Sequence, residues 1–134
     1  MLGLEQQKEL LLESKTIALV GLSPKVQRPS YQVATAMQQY GYRIIPVRPA
    51  VDEILSEQVY TTLANIPFKI DLVNICRASE YMPALVEECI DLSIAAIWAQ
   101  EGVSHEAAAS KAEQAGIQVV MDKFILKQFQ QLIA

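Results

Sequence analysis

The chain is predicted to fold as a doubly wound α/β domain, a five-stranded parallel sheet with helices on both faces. Two observations predict it. Five short, nearly continuous apolar runs, Thr16–Val20, Arg43–Val47, 71–76, 94–99 and 117–121, read as strands buried on both faces. The segments between most of them carry apolar residues at helical spacing, so strand and helix alternate and the connections are right-handed parallel crossovers. The expected strand order is 3-2-1-4-5. It places the switch point between the first and fourth strands, with a ligand crevice above the C-terminal strand ends.

Residues 4–14 have leucines at 4, 10, 11 and 12 among polar neighbours, a helix with one apolar side. It is expected to pack on the sheet edge or on a partner chain. Thr16–Val20 is the first strand and Gly21 allows a sharp turn after it. Ser30 is expected to cap the helix over 31–40, which buries Val33, Ala34 and Met37 and stops at Gly41. The second strand, Arg43–Val47, is closed by Pro46 and Pro49. Residues 50–67 are a connecting segment with turns near 52–56 and 62–65. After the third strand, Ser79 is expected to cap a helix with Pro83 in its first turn and Leu85, Val86, Cys89 and Ile90 on its buried face. The fourth strand leads through Gln100-Glu101-Gly102 to an alanine-rich helix over 105–115, stopped by Gly116. A fifth strand and a helix over Ile125–Leu132 follow.

The 134 residues have the length of one domain, large enough to bury a core without metals or disulfides. A formal charge of −4 argues against nucleic acid as a partner. The apolar runs are too short to cross a bilayer and the Glu5–Lys8 stretch is no signal peptide, so a cytoplasmic protein is expected. Cys76 and Cys89 form no CxxC motif and no histidines cluster, so neither a metal nor a redox pair is indicated. Cys89 reads as a core residue.

The stretch from Gly21 to Ser30, GLSPKVQRPS, joins a strand to a helix N-terminus, whose free N–H groups and positive dipole end favour an anion. It is neither a Walker A loop nor GxGxxG. Lys25 and Arg28 are the only charges between Lys15 and Arg43. After the second strand, where dinucleotide folds carry an acid for the ribose hydroxyls, this chain has Arg48; the nearest acids are Asp52 and Glu53. A cation there argues for a phosphorylated ribose, as in NADP or coenzyme A. For catalysis there is little to assemble. His105, the only histidine, opens a helix and reads as a surface residue, and Asp122 reads as a cap or loop anchor. No catalytic acid, base or nucleophile is expected.

Five collinear motifs carry a resemblance: VGLSPKVQRPS, GYRIIPVRP, LVNICRASE, IWAQEGV and VVMDK, spanning residues 16–123. Together they resemble the small stand-alone CoA-binding domain proteins of the YccU type. That family is similar to the CoA-binding domain of the succinyl-CoA synthetase alpha subunit, a three-layer Rossmann-like fold. The resemblance implies binding of coenzyme A or an acyl-CoA, with Gly21, Ser23, Lys25, Arg28, Pro29 and Ser30 around the phosphates. It implies Val47, Arg48 and Pro49 beside the adenosine and Ile75, Cys76 and Arg77 on the far side of the crevice. The chain departs from the family at two places. It has Val47-Arg48-Pro49 where VNP is common, which either strengthens a contact to the 3′-phosphate or obstructs the adenine site. It has Met121-Asp122-Lys123-Phe124-Ile125 where MDRC-I and a later histidine are common. The expectation is therefore a non-catalytic small-molecule binder. The alternatives are an NAD(P)-dependent oxidoreductase or redox-sensor domain, and a regulatory subunit with a vestigial pocket that docks through its N-terminal helix to a second copy or another protein.

Overall fold

The computed structural model describes residues 1–134. Five strands form one parallel sheet: β1 (Thr16–Val20), β2 (Arg43–Val47), β5 (Leu72–Ile75), β6 (Ala96–Ala99) and β7 (Gln118–Val120). Between β2 and β5 the chain makes a two-residue hairpin, β3 (Glu53–Ile54) with β4 (Glu57–Gln58), and a 3-10 turn at Leu63–Asn65. The helices are α1 (Leu4–Glu13), α2 (Pro29–Gln39), α3 (Met82–Asp91), α4 (Glu106–Gln114) and α5 (Ile125–Leu132).

Side chains alternate across the pleat and build a core on each face. On one face Ala18, Val20, Ile45, Val73, Ile75, Ile97 and Val119 meet the buried residues of α3 and α4. On the other, Ile17, Leu19, Ile44, Leu72, Trp98 and Val120 meet those of α1, α2 and α5. The expected three-layer α/β architecture is the one observed, and Cys89 lies fully buried in the first of these cores.

The strand order corrects the expectation. The sheet runs β2-β1-β5-β6-β7, so in terms of the five long strands the order is 2-1-3-4-5 and not 3-2-1-4-5. The third strand returns to the far side of the first, where Asp71 is held. Its carboxylate accepts hydrogen bonds from the Lys15 and Thr16 N–H groups, both at 3.0 Å, and its own N–H donates to the Thr16 carbonyl at 2.9 Å. That leaves β2 at the sheet edge, where Pro46 fits. Its carbonyl faces outward to accept from Tyr60 N–H at 3.0 Å, so the N–H that proline lacks would also have faced the edge. The connecting segment therefore lies along β2, with Arg48 N–H donating to the Tyr60 carbonyl at 3.0 Å. The switch point falls between β1 and β5, and that rule places ligands over their C-terminal ends.

The first helix lies on the sheet face beside α5 and not at the edge. Leu10 and Leu11 enter the second core, the Tyr42 hydroxyl donates to the Leu11 carbonyl, and Gln128 Nε2 donates to Gln7 Oε1 at 2.9 Å with both glutamines buried. The free edge of β7 is met by the segment before α1, where Leu2 N–H donates to the Val119 carbonyl at 2.9 Å. No helix is long and apolar enough to cross a membrane.

Candidate functional site

Above the switch point, β1 ends and the chain turns at Gly21. With φ +90° the residue is left-handed, and a Cβ added there would stand 2.7 Å from the Cys76 carbonyl oxygen and 2.7 Å from Arg77 Cγ. Only glycine lets the loop after β1 pass this close to the loop after β5. Leu22, fully buried, anchors the loop in the second core. Ser23 N–H donates to Ser30 Oγ at 3.0 Å, Lys25 N–H to Ser23 Oγ at 3.1 Å, and Arg28 N–H to the Lys25 carbonyl at 3.0 Å.

These contacts correct the expected cap. The N-cap of α2 is Arg28, whose side chain caps nothing; Pro29 takes the first helical position, where its missing N–H costs little, and Ser30 is the second residue of the helix. Lying in the first turn behind an N-cap whose side chain caps nothing, the Ser30 and Tyr31 N–H groups have no acceptor. The positive end of α2 is left uncapped toward the crevice. Ser79 likewise caps no α-helix. It begins a 3-10 turn over Ser79–Tyr81, and its hydroxyl accepts from Ser104 N–H at 3.0 Å and donates to the Gly102 carbonyl at 3.4 Å, tying the loop after β5 to the loop after β6.

Two clefts open here. The larger has a volume of about 840 Å³, within the range of small-molecule sites. Among the residues predicted from sequence, Gly21, Ser23, Lys25, Arg28, Pro29, Ser30, Arg48, Cys76 and Arg77 line it. The smaller, about 480 Å³, adds Val47 and Pro49 and shares Gly21, Arg48, Cys76, Arg77 and Ala78, so these five form the ridge between the two. Ile75 is the exception: it is fully buried in the first core and lines neither cleft.

Sequence reasoning missed part of the wall: Pro24, Val33, Ala78, Gln100 to Val103, and Phe124. Gln100 is only 8% exposed. Its Oε1 accepts the Ile125 N–H at 2.9 Å, which holds the start of α5 against the end of β6. Asp122, left-handed at φ 58°, accepts the Gly102 N–H at 2.7 Å and is the loop anchor expected of it.

The charges are unevenly placed. Lys25, Arg28, Arg48 and Arg77 rim the larger cleft, and none is in an ion pair, although the chain is acidic overall. Arg77 lies over the Tyr81 ring, 3.8 Å from its centroid, a cation–π contact that holds the guanidinium flat. Arg48 Nε donates to the Pro49 carbonyl at 3.2 Å. Burial pushes the Cys76 thiol up to about 12, opposed only in part by the side chain of Gln100, and the thiol donates to Asn74 Oδ1 at 3.7 Å. His105 lies outside both clefts and is the N-cap of α4, its Nδ1 accepting from Ala108 N–H at 3.1 Å.

An uncapped helix end and unpaired cations around the strand-end crevice of a small parallel α/β domain are an arrangement suited to an anionic ligand. The profile of a family described as "CoA binding domain" matches residues 15–130, and the chain belongs to that family. Among curated relatives, an uncharacterized protein of Bacillus subtilis (strain 168), YneT, is 43% identical over 115 residues, covering 86% of this chain and 85% of the relative. Acetate–CoA ligase [ADP-forming] II of Archaeoglobus fulgidus is 29% identical over 99 residues, 72% of this chain but 15% of the ligase. The solved structure of a hypothetical protein from Pyrococcus horikoshii OT3 superposes with a TM-score of 0.94 at 30% identity, covering 99% of this chain and 94% of that one. The motifs in the sequence therefore pointed to the family that the comparison finds.

Proposed function

We propose that this protein binds coenzyme A or an acyl-CoA in the cleft over β1 and β5 and performs no chemistry on it. The observation that carries the reading is the concentration of four unpaired cations around the uncapped N-terminus of α2. The pyrophosphate lies on the Ser30 and Tyr31 N–H groups with Lys25 and Arg28 beside it. Arg48, on the ridge between the clefts, takes the 3′-phosphate, and the adenosine lies toward Val47 and Pro49. The residue after β2 also weighs against NAD, which calls for an acid there.

The absence of chemistry rests on what the cleft offers. Its histidine-free wall has one thiol, held protonated by burial at neutral pH, and no acid–base pair with a shared hydrogen bond. Calorimetric titration with coenzyme A, dephospho-coenzyme A, NAD and NADP tests the reading. Coenzyme A is expected to bind tightest. Loss of a charged contact to the 3′-phosphate costs about 1.5 kcal/mol or more, so dephospho-coenzyme A binds roughly tenfold more weakly. Arg48→Ala is expected to remove that difference. Equal or absent heats for all four ligands refute the proposal.

A further inference from the structure

The cleft has a second end, and its chemistry is the opposite of the first. All four cations stand on the loops after β1, β2 and β5; the wall after β6 carries Gln100, Glu101 and Val103, with Phe124 beside them. Resting on the coenzyme A reading above, we infer that this end receives the acyl group and selects uncharged acyl thioesters over acyl groups ending in a carboxylate.

The first support is Gln100. It is more than nine-tenths buried, yet it lines the cleft. Because its Oε1 is taken by the Ile125 N–H, the amide orientation is fixed and the Nε2 hydrogens are left to the cleft side. No protein oxygen accepts them; the nearest group they influence is the Cys76 thiol, a weak acceptor that already donates to Asn74. These hydrogens face the open cleft, where a ligand carbonyl replaces water as their acceptor. A thioester carbonyl supplies one where a free thiol does not.

The second support is charge. Once the phosphates occupy the cations, the ligand's uncharged arm has to run across β5 toward β6, about two strand spacings or roughly 10 Å away. There it meets Glu101, exposed and in no ion pair, and the loop that Asp122 ties down through Gly102 N–H. Glu101 repels a terminal carboxylate, whereas Val103 and Phe124 suit a short aliphatic chain. Like charges about 6 Å apart in a largely aqueous site give a roughly threefold change in affinity.

The experiment measures the affinities of coenzyme A, acetyl-CoA and succinyl-CoA for the whole protein, its Glu101→Gln variant and its Gln100→Glu variant. The second change keeps an acceptor for the Ile125 N–H and replaces the donor. The wild type is expected to bind acetyl-CoA roughly threefold more tightly than succinyl-CoA. Glu101→Gln closes that gap by strengthening succinyl-CoA alone, and Gln100→Glu weakens acetyl-CoA more than coenzyme A. Equal binding of the two thioesters by the wild type, or a Glu101→Gln change that shifts all three ligands alike, overturns the selectivity while leaving coenzyme A binding intact. Absence of binding by all three overturns the underlying function as well.

Discussion

Replacing Gly21 by alanine perturbs the closest approach in the candidate site. Two costs follow. The first is conformational, since a non-glycine residue at φ +90° is strained by about 1–2 kcal/mol. The second is contact: the new Cβ meets the Cys76 carbonyl oxygen at 2.7 Å, and a backbone atom cannot rotate away as the Arg77 methylene at the same distance can. Forcing the two loops apart adds a further 1–2 kcal/mol or so. The sum, about 3 kcal/mol, lowers Tm by roughly 10 °C in a domain of this size. Gly41 is the control. It is left-handed at φ +102° but has nothing within 4 Å of its added Cβ, so Gly41→Ala carries the conformational cost alone. Paired thermal and urea unfolding of the two variants reads the difference. If Gly21→Ala is no less stable than Gly41→Ala, the close packing of the β1 and β5 loops is not what the glycine is for, and the account of the ridge fails with it.

Three further predictions rest on the same contacts. Burial alone would raise the Asp71 pKa, but hydrogen bonds from the Thr16 and Lys15 amides, with the charges of Lys69 and Lys15, hold it below its ordinary 3.8. A depressed carboxylate stabilises the fold above its unfolded value and loses that contribution as pH falls through the folded one. The urea midpoint of the wild type should therefore exceed that of Asp71→Asn at pH 6, with the gap narrowing toward pH 3. His105→Ala removes the cap of α4 and should cost about 1 kcal/mol in chemical unfolding, with His105→Asp recovering most of it. Burial raises both thiols from 9.0 to about 12, with the neighbouring Glu88 charge adding to it at Cys89 and Gln100 opposing it at Cys76. Ellman's reagent at pH 8 should react slowly with the native protein and fully in guanidinium, and stability should decline as pH rises above about 9, where the unfolded thiols ionise.

How far these features were legible in the sequence depends on whether the signal is local. The strands were visible because burial on both faces leaves continuous apolar runs; Arg43–Val47 and Ile125–Leu132 have the expected bounds. Strand order is set by distant contacts such as Asp71 with Lys15, which leave no periodic trace. One local signal was present: Pro46 within the second strand marks an edge, and it contradicts an order that puts that strand between two others. Ser30 and Ser79 occupy positions typical of caps, but their hydroxyls are used across loops, a choice made by tertiary geometry. The cation cluster was readable because its members sit at strand ends. Gln100 and Phe124 were not singled out as site residues, because a glutamine and a phenylalanine are unremarkable until the fold places them at one crevice.

The central claim is that coenzyme A lies with its phosphates on the start of α2. Titrating coenzyme A into isotopically labelled protein and following the backbone amide resonances tests ligand and place together. The account predicts saturable shifts largest at the Ser23 to Tyr31 amides, extending to Arg48 and Arg77 and, along the uncharged arm, to Gln100 and Gly102. Shifts confined to α1 or the β3–β4 hairpin, or none at millimolar coenzyme A, would contradict it.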